Sequence, residues 1–163
     1  MDHPRWLEPS QVAAWRDFSL MHMRLTGELA RGLVANGLSL PDYFVLAALS
    51  DEPDHRARLS RLGTQMGWEK SRLSHHIARM ESRGLVERSR CPADRRGWFV
   101  TMTDEGQHAI SAAAPAHVEQ VRALFIDVLT PRQLNAVAAA ARAVLGHLDT
   151  LASCDHDEQD LPK

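Results

Sequence analysis

Cysteine is scarce in this 163-residue chain: only Cys91 and Cys154 are present, too few for a disulfide framework. A chain of this length can bury a core large enough to fold without such staples. Long apolar runs are also missing. None approaches the roughly 18 residues of a membrane span, so no transmembrane helix and no membrane partner is expected. The first residues, MDHPRWLEPSQ, hold no apolar signal core, and the expected location is cytoplasmic. Catalytic signatures are absent as well. There is no nucleophile motif, no Gly-rich phosphate loop and no defensible carboxylate pair, so the chain does not read as an enzyme. Nine histidines are scattered without H-x-x-x-H or H-E-x-x-H spacing. No metal site and no cofactor are expected, and Cys154 with His156 reads as part of a tail.

What is present is charge, unevenly distributed. The net charge is −2, and seventeen of the nineteen basic residues are Arg. Between Arg56 and Gly97 lie eleven Lys/Arg and four Asp/Glu, a balance of +7, while the rest of the chain balances at −9. Segregation of this kind suggests a basic face for a polyanion on an acidic scaffold. The bland alternative is a solvated charged surface.

Helical periodicity dominates the pattern. Val12, Trp15, Phe18, His22, Leu25, Leu29 and Leu33 step by three and four, predicting a first helix from about Pro9 to Asn36. Leu20, Met23, Gly27, Ala30 and Val34 form a second stripe, so this helix is expected to pack against two neighbours, one of them another subunit. Ser39 and Asp42 nearly match a capping box for a second helix. A short third helix is expected over Leu59–Met66. Gly63 in its middle would be justified by a close helix crossing, and Gly67 makes the turn.

The fourth helix is expected over residues 69–83. Leu73, Ile77 and Met80 mark its buried face and leave Lys70, Ser71, Arg72, Ser74, His75 and Arg79 outward. His76 is ambiguous and could be a packing residue. Gly84 suits the position after the helix end. Two strand-like runs follow, separated by the turn residues Pro92, Asp94 and Gly97. Thr103 is the expected cap of a fifth helix reaching about Leu129, bent or broken at Pro115. Thr130-Pro131-Arg132-Gln133 matches a capping box for a sixth, ending near Leu151.

These elements in this order resemble the MarR (multiple antibiotic resistance regulator) family of winged helix-turn-helix regulators. The wing, Asp94-Arg95-Arg96-Gly97-Trp98-Phe99-Val100-Thr101-Met102-Thr103-Asp104-Glu105-Gly106, matches that family's D-x-R, hydrophobic strand and T-x-x-G signature. RMESRGLVER at 79–88 matches its usual exit from the recognition helix. The departures are Gly63, where the family often has Ala, and Trp68-Glu69 at the entrance of the recognition helix.

The resemblance implies a mainly α fold with a small β-hairpin wing, and a homodimer. Residues 1–37 and 104–152 would supply the dimerisation helices, residues 38–103 the winged helix-turn-helix domain, and residues 153–163 a disordered tail. The function it implies is a sequence-specific regulator on a palindromic double-stranded DNA operator, acting as a repressor released by a small molecule. The helix at 69–83 would lie in the major groove and the wing at 88–98 near the minor groove.

In that reading Ser71, Arg72, Ser74 and His75 face base edges, with Arg72 suited to a guanine fork. Lys70 and Arg79 face phosphates; the alternative for Arg72 and Arg79 is a surface ion pair with Glu69 or Glu81. Arg88 and Arg90 lie near the backbone. Asp94 pairs with Arg96, and Arg95 or Arg96 reads the narrow groove. The resemblance also implies a small aromatic or phenolic effector, with Trp15, Phe18, His22, Tyr43 and Trp68 as candidate pocket residues. Two alternatives stay open: a redox-responsive regulator sensing through Cys91, and a winged-helix module for protein contacts.

Overall fold

The computed structural model describes residues 4–91 and 94–157, and the side chains of these residues except 94–96 and 152–157. The chain divides into two compact units, one ending at Gln120 and the other starting at Val121.

The first unit begins with α1 (Pro9–Val34), whose entry is closed by the Glu8 N–H donating to Gln11 Oε1 at 2.9 Å. Gly37, at φ 67°, turns the chain toward α2 (Leu40–Ser50). The Ser39 capping box forms in full: Ser39 N–H donates to Asp42 Oδ2 at 2.9 Å and Asp42 N–H to Ser39 Oγ at 3.2 Å. A turn follows in which Asp54 and His55 adopt left-handed φ of 56° and 50°. It leads into β1 (Arg56–Arg58), a strand that no sequence signal predicted. Then come α3 (Leu59–Met66) and α4 (Lys70–Ser82), joined through Gly67 at φ 61°.

The hairpin is β2 (Val86–Cys91) and β3 (Asp94–Met102). It forms two-thirds of an antiparallel sheet ordered β1-β3-β2, in which Ala57 sits opposite Val100 and Arg88 opposite Val100 from the other side. The expected two-stranded wing is thus backed by a third strand. α5 (Asp104–Val121) closes the unit and passes Pro115 without a break. The core gathers Leu33, Val45, Leu46, Leu49, Leu62, Leu73, Ile77, Met80, Val86 and Val100.

The T-x-x-G motif has a local cause. Thr103 Oγ1 accepts from the Gly106 N–H at 3.0 Å and donates to the Gly84 carbonyl, tying the start of α5 to the end of α4. A Cβ on Gly106 would lie 2.2 Å from the Leu85 carbonyl oxygen, so only glycine fits. Gly63 behaves otherwise. A Cβ there would meet Leu73 and the Trp68 carbonyl at 3.5 Å, ordinary contact, so the expected close crossing does not demand glycine.

In the second unit the helical path first widens into a π-helical turn, Arg122–Ile126, marked by Asp127 N–H donating to the Arg122 carbonyl at 2.8 Å. The predicted Thr130 capping box then starts α6 (Pro131–Asp157), with Thr130 N–H donating to Gln133 Oε1 at 2.9 Å. α6 runs past the expected end at Leu151 into the stretch read as disordered, because that stretch continues without Pro or Gly as far as Asp157. The remainder of the tail, 158–163, lies outside the described residues. No helix among the described residues is long and apolar enough to cross a membrane.

Candidate nucleic-acid interface

α4 presents two faces. Leu73, His76, Ile77 and Met80 are buried, whereas Lys70, Ser71, Arg72, His75 and Arg79 are exposed and Ser74 is half-buried. The turn from α3 is closed by Trp68 N–H donating to the Gly63 carbonyl at 3.0 Å. At the other end, Gly84 takes φ 72°, and Leu85 N–H reaches back to the Met80 carbonyl at 3.0 Å. This is the hydrogen bonding expected of a glycine-capped helix end.

The position of α4 is fixed by a buried carboxylate. Asp42, 2% exposed, accepts from Arg83 Nη1 at 2.7 Å as well as from Ser39. His76 Nε2 lies 3.1 Å from Asp42 Oδ1, a close polar contact that is not well aligned as a hydrogen bond. Arg79 donates to His76 Nδ1 at 3.1 Å. A guanidinium only donates, so Nδ1 accepts and the ring proton belongs on Nε2, toward Asp42. Burial by itself would raise the Asp42 carboxyl, but His76, Arg83 and Ser39 outweigh it and hold the group well below the usual carboxylate range. Sequence reasoning saw Asp42 only as a capping residue.

The arginines of this region divide into tethered and presented groups. Glu81 takes Arg88: Oε2 accepts from Nε at 2.7 Å, and Oε1 from the Arg88 backbone N–H at 3.1 Å. That pair holds the Glu81 carboxyl below its ordinary value. Arg88, expected near the DNA backbone, is thus paired with Glu81 of α4. Neither Arg72 nor Arg79 takes the ion pair weighed for it. Arg79 is on His76, and Arg72 stacks over Trp68 with its guanidinium carbon 4.5 Å from the ring centroid. On the hairpin, Arg90 stacks over Trp98 at 4.3 Å. The side chains of Asp94, Arg95 and Arg96 lie outside the described residues, and with them the expected Asp94–Arg96 pairing. Cys91 is buried at the end of β2.

A cleft of about 650 Å³ opens between α1, α2 and the α3–α4 turn. It is lined by His22, Phe44, Met66, Trp68 and Arg72 among others. Of the five pocket residues read from sequence, it brings together His22 and Trp68. Trp15 and Phe18 stack on each other on the exposed surface of α1, at 62% and 53% exposure. Tyr43 turns away to pack on His117, with ring centroids 4.2 Å apart. Burial raises the Tyr43 hydroxyl pKa and lowers that of the His117 ring. The cleft receives the neighbouring Phe44 instead, because one helical residue rotates the side chain by about 100°.

Residues 38–97 match the profile of the MarR family. Transcriptional regulator HosA of Escherichia coli O111:H- is 39% identical over 79 residues, 48% of this chain and 56% of that protein. The chain thus spans a little over half the length of the curated relatives it matches first. A solved structure, AbsC, a MarR family transcriptional regulator from Streptomyces coelicolor, superposes with a TM-score of 0.85 at 39% identity, covering 90% of this chain and 99% of that one.

The chain belongs to the MarR family.

A second MarR family regulator from Streptomyces coelicolor, Sco3205, was solved in complex with DNA. It shares 36% identity and a TM-score of 0.82, covering 88% of this chain and 91% of that one. Within the MarR fold, α3 and α4 are the helix-turn-helix, and β2–β3 is the wing. The relatives are transcriptional regulators.

Proposed function

We propose that this MarR family chain is a sequence-specific DNA-binding repressor that acts in the cytoplasm as a homodimer on a palindromic operator. The observation that carries this reading is the division of α4. Its apolar ridge is locked into the core, while Lys70, Ser71, Arg72, His75 and Arg79 stand on the opposite, exposed face. Such a face offers short donors and a guanidinium fork to base edges, with cations for phosphates. Arg95 or Arg96 of the wing reads the minor groove.

Exposed apolar side chains support the dimer. Trp15, Phe18 and Met23 on α1, and Val144, Leu145 and Leu148 on α6, stand uncovered in the single chain. Segments 1–37 and 104–152 are then the dimerisation helices. Large uncovered apolar surfaces of this kind mark protein–protein contacts. Two-fold symmetry sets the half-sites about one helical turn, roughly 34 Å, apart.

The cleft supports release by a small molecule. Its volume suits such a ligand, and its walls combine apolar residues with a few polar groups. Arg72 belongs to both the cleft and the exposed face of α4, so an aromatic acid bound beside Trp68 competes with DNA for one guanidinium.

A mobility shift with the intergenic DNA upstream of the chain's own gene tests the proposal. Arg96→Ala is expected to weaken that binding roughly tenfold or more while leaving the fold intact, as losing one good contact should. Wild-type affinity in that variant, titrated at fixed salt, would remove Arg96 from the interface.

A further inference from the structure

The sheet has a second basic surface, on the side away from the core. Arg56 and Arg58 are exposed on either side of buried Ala57, so both face solvent. Phe99 lies opposite Arg58 on one side and Ser89 on the other. The Arg56 guanidinium carbon sits 4.0 Å from the Phe99 ring centroid, and that of Arg58 5.7 Å away. Arg56 also donates to Ser89 Oγ at 3.3 Å. Among the described residues neither arginine has a carboxylate partner, and nearby Glu52 is occupied by Arg61 at 2.7 Å.

We propose that Arg56 and Arg58, ordered on Phe99, form a second phosphate-binding surface that holds the duplex beyond the bases read by α4 and the wing. The proposal rests on the DNA-binding reading above. Stacking orders a guanidinium through its flat face and leaves its N–H edge for an anion. Without the stack, two flexible arginines would lose side-chain entropy on every contact.

Position favours DNA over an acidic protein. β3 runs from the wing to Phe99, which is on the order of 16 Å from Asp94 at about 3.3 Å per residue. β1 passes directly into α3, because Leu59 follows Arg58. The surface thus lies beside the strand that continues into the wing and at the start of the first helix of the helix-turn-helix. One group opposes it: Glu87 is exposed on the same face, across Thr101 from Arg56.

The test uses the full chain and a palindromic duplex selected with it from random DNA. That duplex is made with and without about ten extra base pairs at each end. The double variant Arg56→Gln/Arg58→Gln is titrated over a range of salt, with circular dichroism confirming its fold. On the long duplex its affinity is expected to fall at least roughly tenfold, and the salt slope to drop by about four, one per phosphate contact with two contacts from each protomer of the dimer. On the short duplex it should match the wild type, with unchanged base preference. Phe99→Leu, which keeps both charges, should lose part of the long-duplex advantage. Glu87→Gln should tighten long-duplex binding.

Equal affinity and slope for double variant and wild type on the long duplex would overturn the proposal. So would an equal loss on both lengths, or binding of an acidic peptide in preference to the flanking DNA. A wild type that binds no duplex would overturn the regulator reading itself, a result distinct from these.

Discussion

α4 and α1 carry apolar stripes of the same helical period, yet they bury them differently. In α4, Leu73, Ile77 and Met80 are sealed into a core supplied by α2, α3 and the sheet. In α1 only Leu33, at its C-terminal end, is fully buried, while Trp15 and Phe18 stand in solvent. α6 resembles α1, with Val144, Leu145 and Leu148 all more than half exposed. A stripe reports that a face wants cover, but not which chain provides it. The winged segment satisfies its apolar surface internally. The two long helices leave theirs exposed in the single chain, and the proposed dimer would cover them.

The comparison can be broken first where internal closure is strongest. Asp42→Ala removes the acceptor shared by Ser39 and Arg83 and the carboxylate beside His76, and is expected to cost about 2 kcal/mol, as losing a charge-assisted hydrogen bond and a helix cap does. The sign with pH follows from the depressed Asp42 carboxyl. Its contribution is fully present above the unfolded value of about 3.9 and is lost as pH falls toward the folded one. Chemical denaturation at pH 7 and in strong acid should therefore show a gap between wild type and variant that narrows below about pH 4. An equal gap at both would contradict the assignment.

Gly106→Ala comes next. A methyl group there meets the Leu85 carbonyl and the Met102 side chain, and overpacking of this kind costs about 2 kcal/mol. A melting temperature equal to wild type would show that the α4–α5 junction yields more easily than its geometry indicates.

On the other side of the comparison, Phe18→Ser should barely change the far-ultraviolet spectrum of the chain. It should weaken self-association about tenfold, close to 1.4 kcal/mol, in sedimentation at graded concentrations. Equal self-association of the two proteins would remove Phe18 from the interface, and a monomer at every concentration in both would contradict the dimer. The smallest effect is a gain. Gly63→Ala fits at ordinary contact distance and should raise stability by up to about 1 kcal/mol in a denaturant titration.

Local signals carried much of the fold. The caps at Ser39, Thr103 and Thr130, the bounds of α3 and the turn at Gly84 were all legible, because each depends on residues a few positions apart. β1 escaped because three residues, Arg-Ala-Arg, are too few to show an alternation. The Asp42–Arg83 tie escaped because it spans 41 positions. Two of the five candidate pocket residues, His22 and Trp68, line the cleft. Counting aromatics found Trp68 and His22, but choosing Tyr43 over Phe44 needed the rotation of α2 against its neighbours, which composition does not carry. The exposed face of α4 was legible except at Ser74, which is half-buried, while the pairing of Arg88 with Glu81 was not foreseen.

The most direct measurement is a titration of Arg72→Ala and wild type against the operator and its single-base variants at fixed salt. The account predicts roughly tenfold or greater loss on the operator, about 1–3 kcal/mol, with discrimination relaxed at one symmetric base pair and the fold intact. Unchanged affinity and unchanged base preference would contradict the claim that the exposed face of α4 reads the sequence.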